Sequence, residues 1–254
     1  MTAWRFAAGQ ATGSAHEKLG KPCQDRFACC VEEDGQTLIA AVSDGAGTAE
    51  HAHIGAEIAV NTLISIAQLG VRAGRRDYTE ILRECAALAR QRLVEAAADR
   101  QLQPRDLACT MLAVIVAPMG GGALQIGDGV IVVADQPLAW RWVIWPQKGE
   151  YANSTYFLSD EHALDKAEVQ VFSDDIQDVA LMSDGLEQLA VHFPSRRAHD
   201  PFFKSVFGPL QVETGDAEST RLSQGLANIL ASPAVRARTD DDASLIIATR
   251  RPRG

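Results

Sequence analysis

The chain has 254 residues, 46% of them hydrophobic, enough to bury one sizeable core, and with no Pro-, Ser- or Gly-rich linker and no internal repeat a single domain over 1–254 is expected. A net charge of −9 argues against nucleic acid as the main partner, because phosphate backbones demand clustered Lys and Arg. The opening Met1-Thr2-Ala3-Trp4-Arg5-Phe6 lacks a signal pattern, the apolar run 107–118 is too short to span a bilayer, and the five cysteines show no Cys-x-x-Cys spacing, so the expectation is a cytoplasmic protein off the membrane, with reduced thiols.

In chain order, residues 27–31 and 37–42 read as two strands joined by the turn Glu32-Glu33-Asp34-Gly35-Gln36. Ile54, Ile58, Leu63, Ile66 and Leu69 recur at helical spacing, and residues 78–98 repeat the pattern with Ile81, Leu82, Cys85, Leu88, Ala89 and Leu93. Gly70 and Gly74 fall between the two, which predicts a helical hairpin. Strand signals follow at 109–116, 123–126, 130–134, 139–145 and 179–182. Trp140 and Trp142 share a face of one of them and, with Trp145, read as sheet packing; Asp174, Asp175 and Asp178 read as a solvated turn. Residues 218–230 read as a helix and 244–248 as a final strand. Short consecutive strands favour antiparallel meanders over βαβ crossovers, so sheets covered by helices are expected.

Three apolar runs stop at a small residue followed by Asp-Gly: Val42-Ser43-Asp44-Gly45, Ile126-Gly127-Asp128-Gly129 and Met182-Ser183-Asp184-Gly185. Asp240-Asp241-Asp242 mirrors them, just before the run that starts at Ala243. Asp and Gly are poor strand residues, so each carboxylate reads as sitting at a strand end. Turn chemistry accounts for Asp128, which fits a hairpin between two strands, but not for Asp44 or Asp184. Carboxylates that converge on one edge repel, and a hard divalent cation relieves the repulsion.

At Val42-Ser43-Asp44-Gly45-Ala46-Gly47-Thr48 and Met182-Ser183-Asp184-Gly185 the chain resembles the PP2C-type, metal-dependent serine/threonine phosphatases, and most of all their short bacterial branch. The likeness runs from Gly13-Ser14-Ala15-His16 through Gly20-Lys21-Pro22-Cys23-Gln24-Asp25, Ile54-Gly55-Ala56-Glu57, Gly127-Asp128-Gly129 and Gly149-Glu150-Tyr151 to Asp241-Asp242-Ala243-Ser244. It implies an α+β fold, a four-layer αββα sandwich with two central antiparallel sheets flanked by helices. It further implies two Mn2+ or Mg2+ ions with room for a third. Asp44 would bridge the pair, helped by the Gly45 carbonyl, Asp184 and Asp241. Asp128 would hold the third, looser ion, and Asp25 would act at one remove, through water. A metal-activated water would attack phosphorus directly, and two cations can supply the large electrostatic help that phosphate ester hydrolysis needs. No Cys-x5-Arg pattern offers a covalent alternative.

The departures from the family pattern matter. Ala46 stands where many members carry a histidine that protonates the leaving oxygen; His16, His51 and His53 are the nearby substitutes, His16 being carried as a candidate catalytic residue. Gln24 replaces an acidic residue, and Lys21 and Arg26 are the cations near the position where phosphate would bind, Lys21 being the candidate contact. Asp240 and Asp242 read as caps or as orienting a ligand water. Residues 149–158 share a flavour with bacterial relatives and suggest no physical role. The expected partners are phosphorylated proteins, with a Ser/Thr kinase or its targets as context, and the chain is expected to be a monomer. Two other readings compete: a silent phosphoprotein-binding module of the same fold, favoured by the missing histidine, and a hydrolase of another phosphate ester or nucleotide.

Overall fold

The apolar runs become the strands of two sheets laid face to face. The computed structural model describes residues 2–136, 139–147, 155–173, 175–192, 195–215 and 217–252. Its strands are β1 (Thr2–Ala11), β2 (Arg26–Val31), β3 (Leu38–Ser43), β4 (Met111–Ala117), β5 (Gly120–Ile126), β6 (Val130–Ala134), β7 (Arg141–Trp142), β8 (Glu168–Phe172), β9 (Asp178–Met182), the short ribbon β10 (Val191–His192) and β11 (Arg197–Ala198), and β12 (Ala243–Pro252). The helices are α1 (Ser14–Lys18), α2 (Ala52–Arg72), α3 (Tyr78–Asp99), α4 (Ala163–Lys166), α5 (Glu187–Ala190), α6 (Asp200–Gln211), α7 (Thr220–Leu230) and α8 (Pro233–Arg236). One sheet runs β1-β12-β9-β6-β7 and the other β2-β3-β4-β5-β8, and their pairings are antiparallel.

Strand alternation sorts each sheet's side chains into two layers. On β3, Leu38, Ala40 and Val42 face the other sheet, in one cluster with its Trp4, Phe6, Ile131, Val133, Leu181 and Ile246. Ile39 and Ala41 face outward and are covered by Ala56, Leu63, Ile81, Leu82 and Leu93 of α2 and α3. On the far side, Phe203 and Phe207 of α6 and Leu226 and Leu230 of α7 cover Ala7, Val132, Ala180 and Ile247. The central strands β3, β4, β5, β6 and β9 are therefore buried on both faces, which is why they read as apolar runs, while the edge strands β2, β7 and β8 stay partly exposed. This is the expected four-layer sandwich. Among the described residues α2 is the helix long and apolar enough to cross a membrane, and it packs its Ala56, Ala59, Val60 and Leu63 into this core.

Several local readings need correction. Gly127-Asp128-Gly129 is no hairpin turn: β5 and β6 belong to different sheets, and the tripeptide carries the chain across. The expected strand at 139–145 shrinks to Arg141–Trp142, with Trp140 stacked on Phe203 at 5.1 Å and against Phe207 at 4.6 Å. Asp178 is not in a solvated turn but buried in β9, where it accepts hydrogen bonds from Thr249, Arg251 and Gln211. Asp175 is exposed and pairs with Arg250, and Asp174 lies outside the described residues. Residues 149–154 of the 149–158 segment also lie outside them.

Register brings the strand ends together. Arg26 at the start of β2 pairs with Ser43 at the end of β3, and Val42 pairs with Leu112 near the start of β4. In the other sheet Met182 at the end of β9 pairs with Val130 at the start of β6 and with Leu245 near the start of β12. The residues just beyond these positions, Asp25, Asp44, Asp128, Asp184 and Asp241, therefore all emerge at the same end of the sandwich.

Candidate metal centre

Each carboxylate at that end is fixed by its own backbone. The Asp44 N–H donates to Thr110 Oγ1 at 2.9 Å and its carbonyl accepts from the Thr110 N–H at 2.8 Å, while Ser43 Oγ donates to the Thr110 carbonyl at 2.5 Å. Gly45 then faces Cys109 across an antiparallel bridge. That bridge uses the Asp44 carbonyl and the Ala46 N–H, leaving the Gly45 carbonyl out of the ladder. Beyond β9, the Ser183 N–H donates to the Ser244 carbonyl at 3.2 Å, and Ser183 Oγ accepts from the Ser244 N–H at 3.0 Å. Gly185 is required where it stands, because a Cβ there would lie 2.0 Å from the Asp242 carbonyl oxygen. Asp241 is held by its N–H to Thr239 Oγ1 at 3.2 Å, and its own carboxylate accepts from the Asp242 N–H at 2.8 Å.

The electrostatics are those of acids crowded together. Packing pushes Asp44 well above the ordinary carboxylate range, and the charges of Asp25, Asp184 and Asp241 add to it. Burial lifts Asp184 to about 6, with Asp128 and Asp241 contributing. Asp25 is fully buried and pushed up to about 7, chiefly by burial, although the nearby Ser183 hydroxyl tempers it. Asp241 is raised by burial too. Both oxygens of Asp25 and Oδ1 of Asp184 are buried without a hydrogen-bond partner, a state native proteins avoid unless something else satisfies the atoms. Oxygen-only donors with surplus negative charge suit Mg2+ or Mn2+. Among the described residues no three His, Cys, Asp or Glu side chains stand already arranged around a metal position. The observations that favour a cation are thus the mutual repulsion and the unpartnered oxygens.

The sequence-predicted residues fall into two groups. Asp25, Asp44, Asp184 and Asp241 share one electrostatic cluster, with Asp128 beside Asp184. His16, Lys21 and the other histidines lie around it. His16 is buried, its Nδ1 at ion-pair distance (3.0 Å) from Asp242 Oδ2 but without the alignment of a hydrogen bond. Lys21 Nζ reaches the Gly47 carbonyl at 3.4 Å, on the loop that follows Gly45. Arg26 spends its guanidinium on the Cys23 and Asp25 carbonyls, at 2.8 and 2.6 Å. His53, at the start of α2, has its basicity lowered by burial and by Arg26 and His51. Two residues carry more than the sequence suggested. Asp242, 2% exposed, accepts from the Gly13 N–H at 2.7 Å and the Gln24 N–H at 2.6 Å, so it ties the segments carrying His16 and Asp25 to the start of β12. Thr110, as described, latches Asp44. A triple acid and a lone threonine in an apolar run carry no signal that would single out either.

Comparison with known proteins is consistent with this geometry. The sequence profile of the Protein phosphatase 2C family matches residues 12–231. The chain is 36% identical over 251 residues to Serine/threonine-protein phosphatase 3 of Escherichia coli (strain K12), covering 96% of this chain and 98% of that protein. Among solved structures, a C. elegans sex determining protein superposes with a TM-score of 0.68 at 15% identity, over 98% of this chain and 65% of that one. The catalytic domain of the phosphatase PstP, in complex with 2 manganese ions, superposes with a TM-score of 0.65 at 13% identity, over 99% of this chain and 100% of that one.

Proposed function

The chain belongs to the protein phosphatase 2C family, and from that premise we propose that it removes phosphate from phosphoserine and phosphothreonine of proteins, using divalent ions held at the Asp44 end of the sandwich. The observation that carries this reading is the gathering of Asp25, Asp44, Asp184 and Asp241, from four separate stretches of chain, with their charges destabilised and oxygens of Asp25 and Asp184 left unpartnered. Asp44, the Gly45 carbonyl, Asp184 and Asp241 would hold two Mn2+ or Mg2+ ions, as PstP holds two manganese ions, and Asp128 a third, looser one. When bound, such ions supply Lewis acidity to phosphate oxygens and to the attacking water. Asp25 offers buried oxygens to orient water at the cluster. Lys21, anchored on the Gly47 carbonyl beside Asp44, supplies a point charge for the incoming phosphate. His16, buried against Asp242, is the candidate to hold a proton near the cluster in the role that Ala46 cannot fill.

The natural substrates are phosphorylated proteins in the cytoplasm, a Ser/Thr kinase or its targets among them, met by a monomer. The five cysteines are free, in keeping with a reducing compartment. Hydrolysis of p-nitrophenyl phosphate and of a phosphothreonine peptide tests the reading, with manganese, with EDTA, and in Asp44→Asn and Asp184→Asn. Activity with manganese that EDTA and both substitutions abolish is expected. Activity indifferent to all three overturns the metal mechanism, and a wild type that binds manganese yet turns nothing over favours the silent phosphoprotein-binding module.

A further inference from the structure

The crossing peptide at Gly127 is held in an unusual way. Its N–H donates to Gln147 Oε1 at 2.9 Å, and its carbonyl accepts both the Gln147 N–H at 3.2 Å and Gln125 Nε2 at 3.0 Å. One residue, twenty positions further on, thus takes up both backbone polar groups of a single glycine, one on each of the two peptides that flank its Cα. Gln147 is itself anchored: Nε2 donates to the Lys166 carbonyl at 2.8 Å and to Glu168 Oε1 at 2.9 Å, at the start of β8. Gly127 adopts φ +110, and a Cβ there would lie 2.6 Å from Thr110 Cγ2, the same threonine that latches Asp44. The next residue is Asp128, whose charge helps raise Asp184.

We propose that Gln147 is the positioning residue for Asp128: it clamps the Gly127 peptide so that the Asp128 carboxylate is presented to the cluster at the Asp44 end. Filling space alone would not require a saturated amide, since an apolar side chain packs there at lower desolvation cost. A crossing peptide has no sheet neighbour to take its N–H and carbonyl, and Gln147 does so from the segment after β7. The proposal rests on the metal reading above, in which Asp128 holds the looser ion. Removing the clamp then loosens that ion and spares the pair at Asp44. Partners that orient metal ligands typically cost about 10–100-fold in affinity when removed.

Manganese binding to the whole chain, followed by the electron paramagnetic resonance of free Mn2+ and by calorimetry, tests this on wild type, Gln147→Met, Asp128→Ala and the double variant. Wild type is expected to show a tight class and a weak class of sites. Asp128→Ala removes the weak class, Gln147→Met weakens that class about tenfold without moving the tight one, and the double variant matches Asp128→Ala. Glu168→Ala, at an exposed position, takes away only the outer anchor of the clamp; it weakens the same class by more than twofold but by less than the roughly tenfold of Gln147→Met, and decides the matter if Gln147→Met does not fold. A weak class unmoved within twofold in Gln147→Met, both classes loosened alike, or additive effects in the double variant would each overturn the clamp. A wild type without a weak class, or Asp128→Ala binding as wild type does, overturns the metal role of Asp128, and the proposal with it.

Discussion

Asp242 is the sharpest point at which to break this site without touching a proposed ligand. Its carboxylate, 2% exposed, accepts two backbone N–H groups, from Gly13 at 2.7 Å and Gln24 at 2.6 Å, and faces His16 Nδ1 at 3.0 Å. Asp242→Ala orphans both buried donors, at about 1–3 kcal/mol each, and strips His16 of its partner. The sum is about 3–5 kcal/mol. At about 2–4 °C per kcal/mol for a chain of this size, Tm should fall by roughly 10 °C. Asp242→Asn keeps one acceptor oxygen but turns an NH2 toward one of the two N–H groups, so about half the loss is expected. Because the same carboxylate joins the Asp25 segment to the start of β12, manganese affinity should fall in both variants. Urea melts and thermal scans in EDTA, with parallel manganese titrations, measure this. A loss below about 1 kcal/mol in Asp242→Ala would show that water replaces the carboxylate, and the stapling argument would fail.

Other outcomes follow from the same physics. Asp44→Asn removes a charge that packing and three acidic neighbours disfavour; in EDTA the variant should melt higher than wild type, while losing the manganese-induced shift and at least about a hundredfold in activity. Asp25 and Asp184 have folded values raised to about 7 and about 6. The unfolded chain releases these protons first, so their contribution to stability is present below about pH 4 and is lost as pH rises through 6–7. The manganese-induced rise in Tm should therefore be larger at pH 8 than at pH 5.5, and an equal rise at both would contradict the burial argument. Gly225 in α7 has open space beside its Cα; Gly225→Ala should stabilise by about 0.5–1 kcal/mol, or roughly 2 °C, in a thermal scan.

The sequence showed most clearly what repeats or alternates. Asp-Gly after an apolar run placed Asp44 and Asp184 at strand ends, and helical spacing placed α2 and α3 within a few residues of where they lie. Ala-rich β1, buried on both faces and interrupted by Gly9, offered no alternation. In α6, Gly208 and Pro209 disguised a helix whose stability comes from Phe203 and Phe207 packing on the sheet. The alternation in Glu168-Val169-Gln170-Val171-Phe172 was there to be read as β8. Asp128 was misjudged because turn chemistry is the same whether a chain folds back on its own sheet or passes to the next. Asp242, Thr110 and Gln147 could not be seen at all, since their partners lie 20 to more than 200 residues away and only register brings them close.

The pairing of β1 with β12, from Thr2 opposite Pro252 to Ala11 opposite Ala243, sets the order in which the molecule can be assembled. β12 lies between β1 and β9, so both wait with bare edges until it inserts, a closure across more than two hundred residues that is slow and exposed to mispairing. Asp241 arrives with that same strand. A chain caught before the insertion holds Asp44 on one meander and Asp184 at the end of β9 but lacks Asp241 and the Asp242 staple, so commitment to the native topology and completion of the acidic pocket become one event.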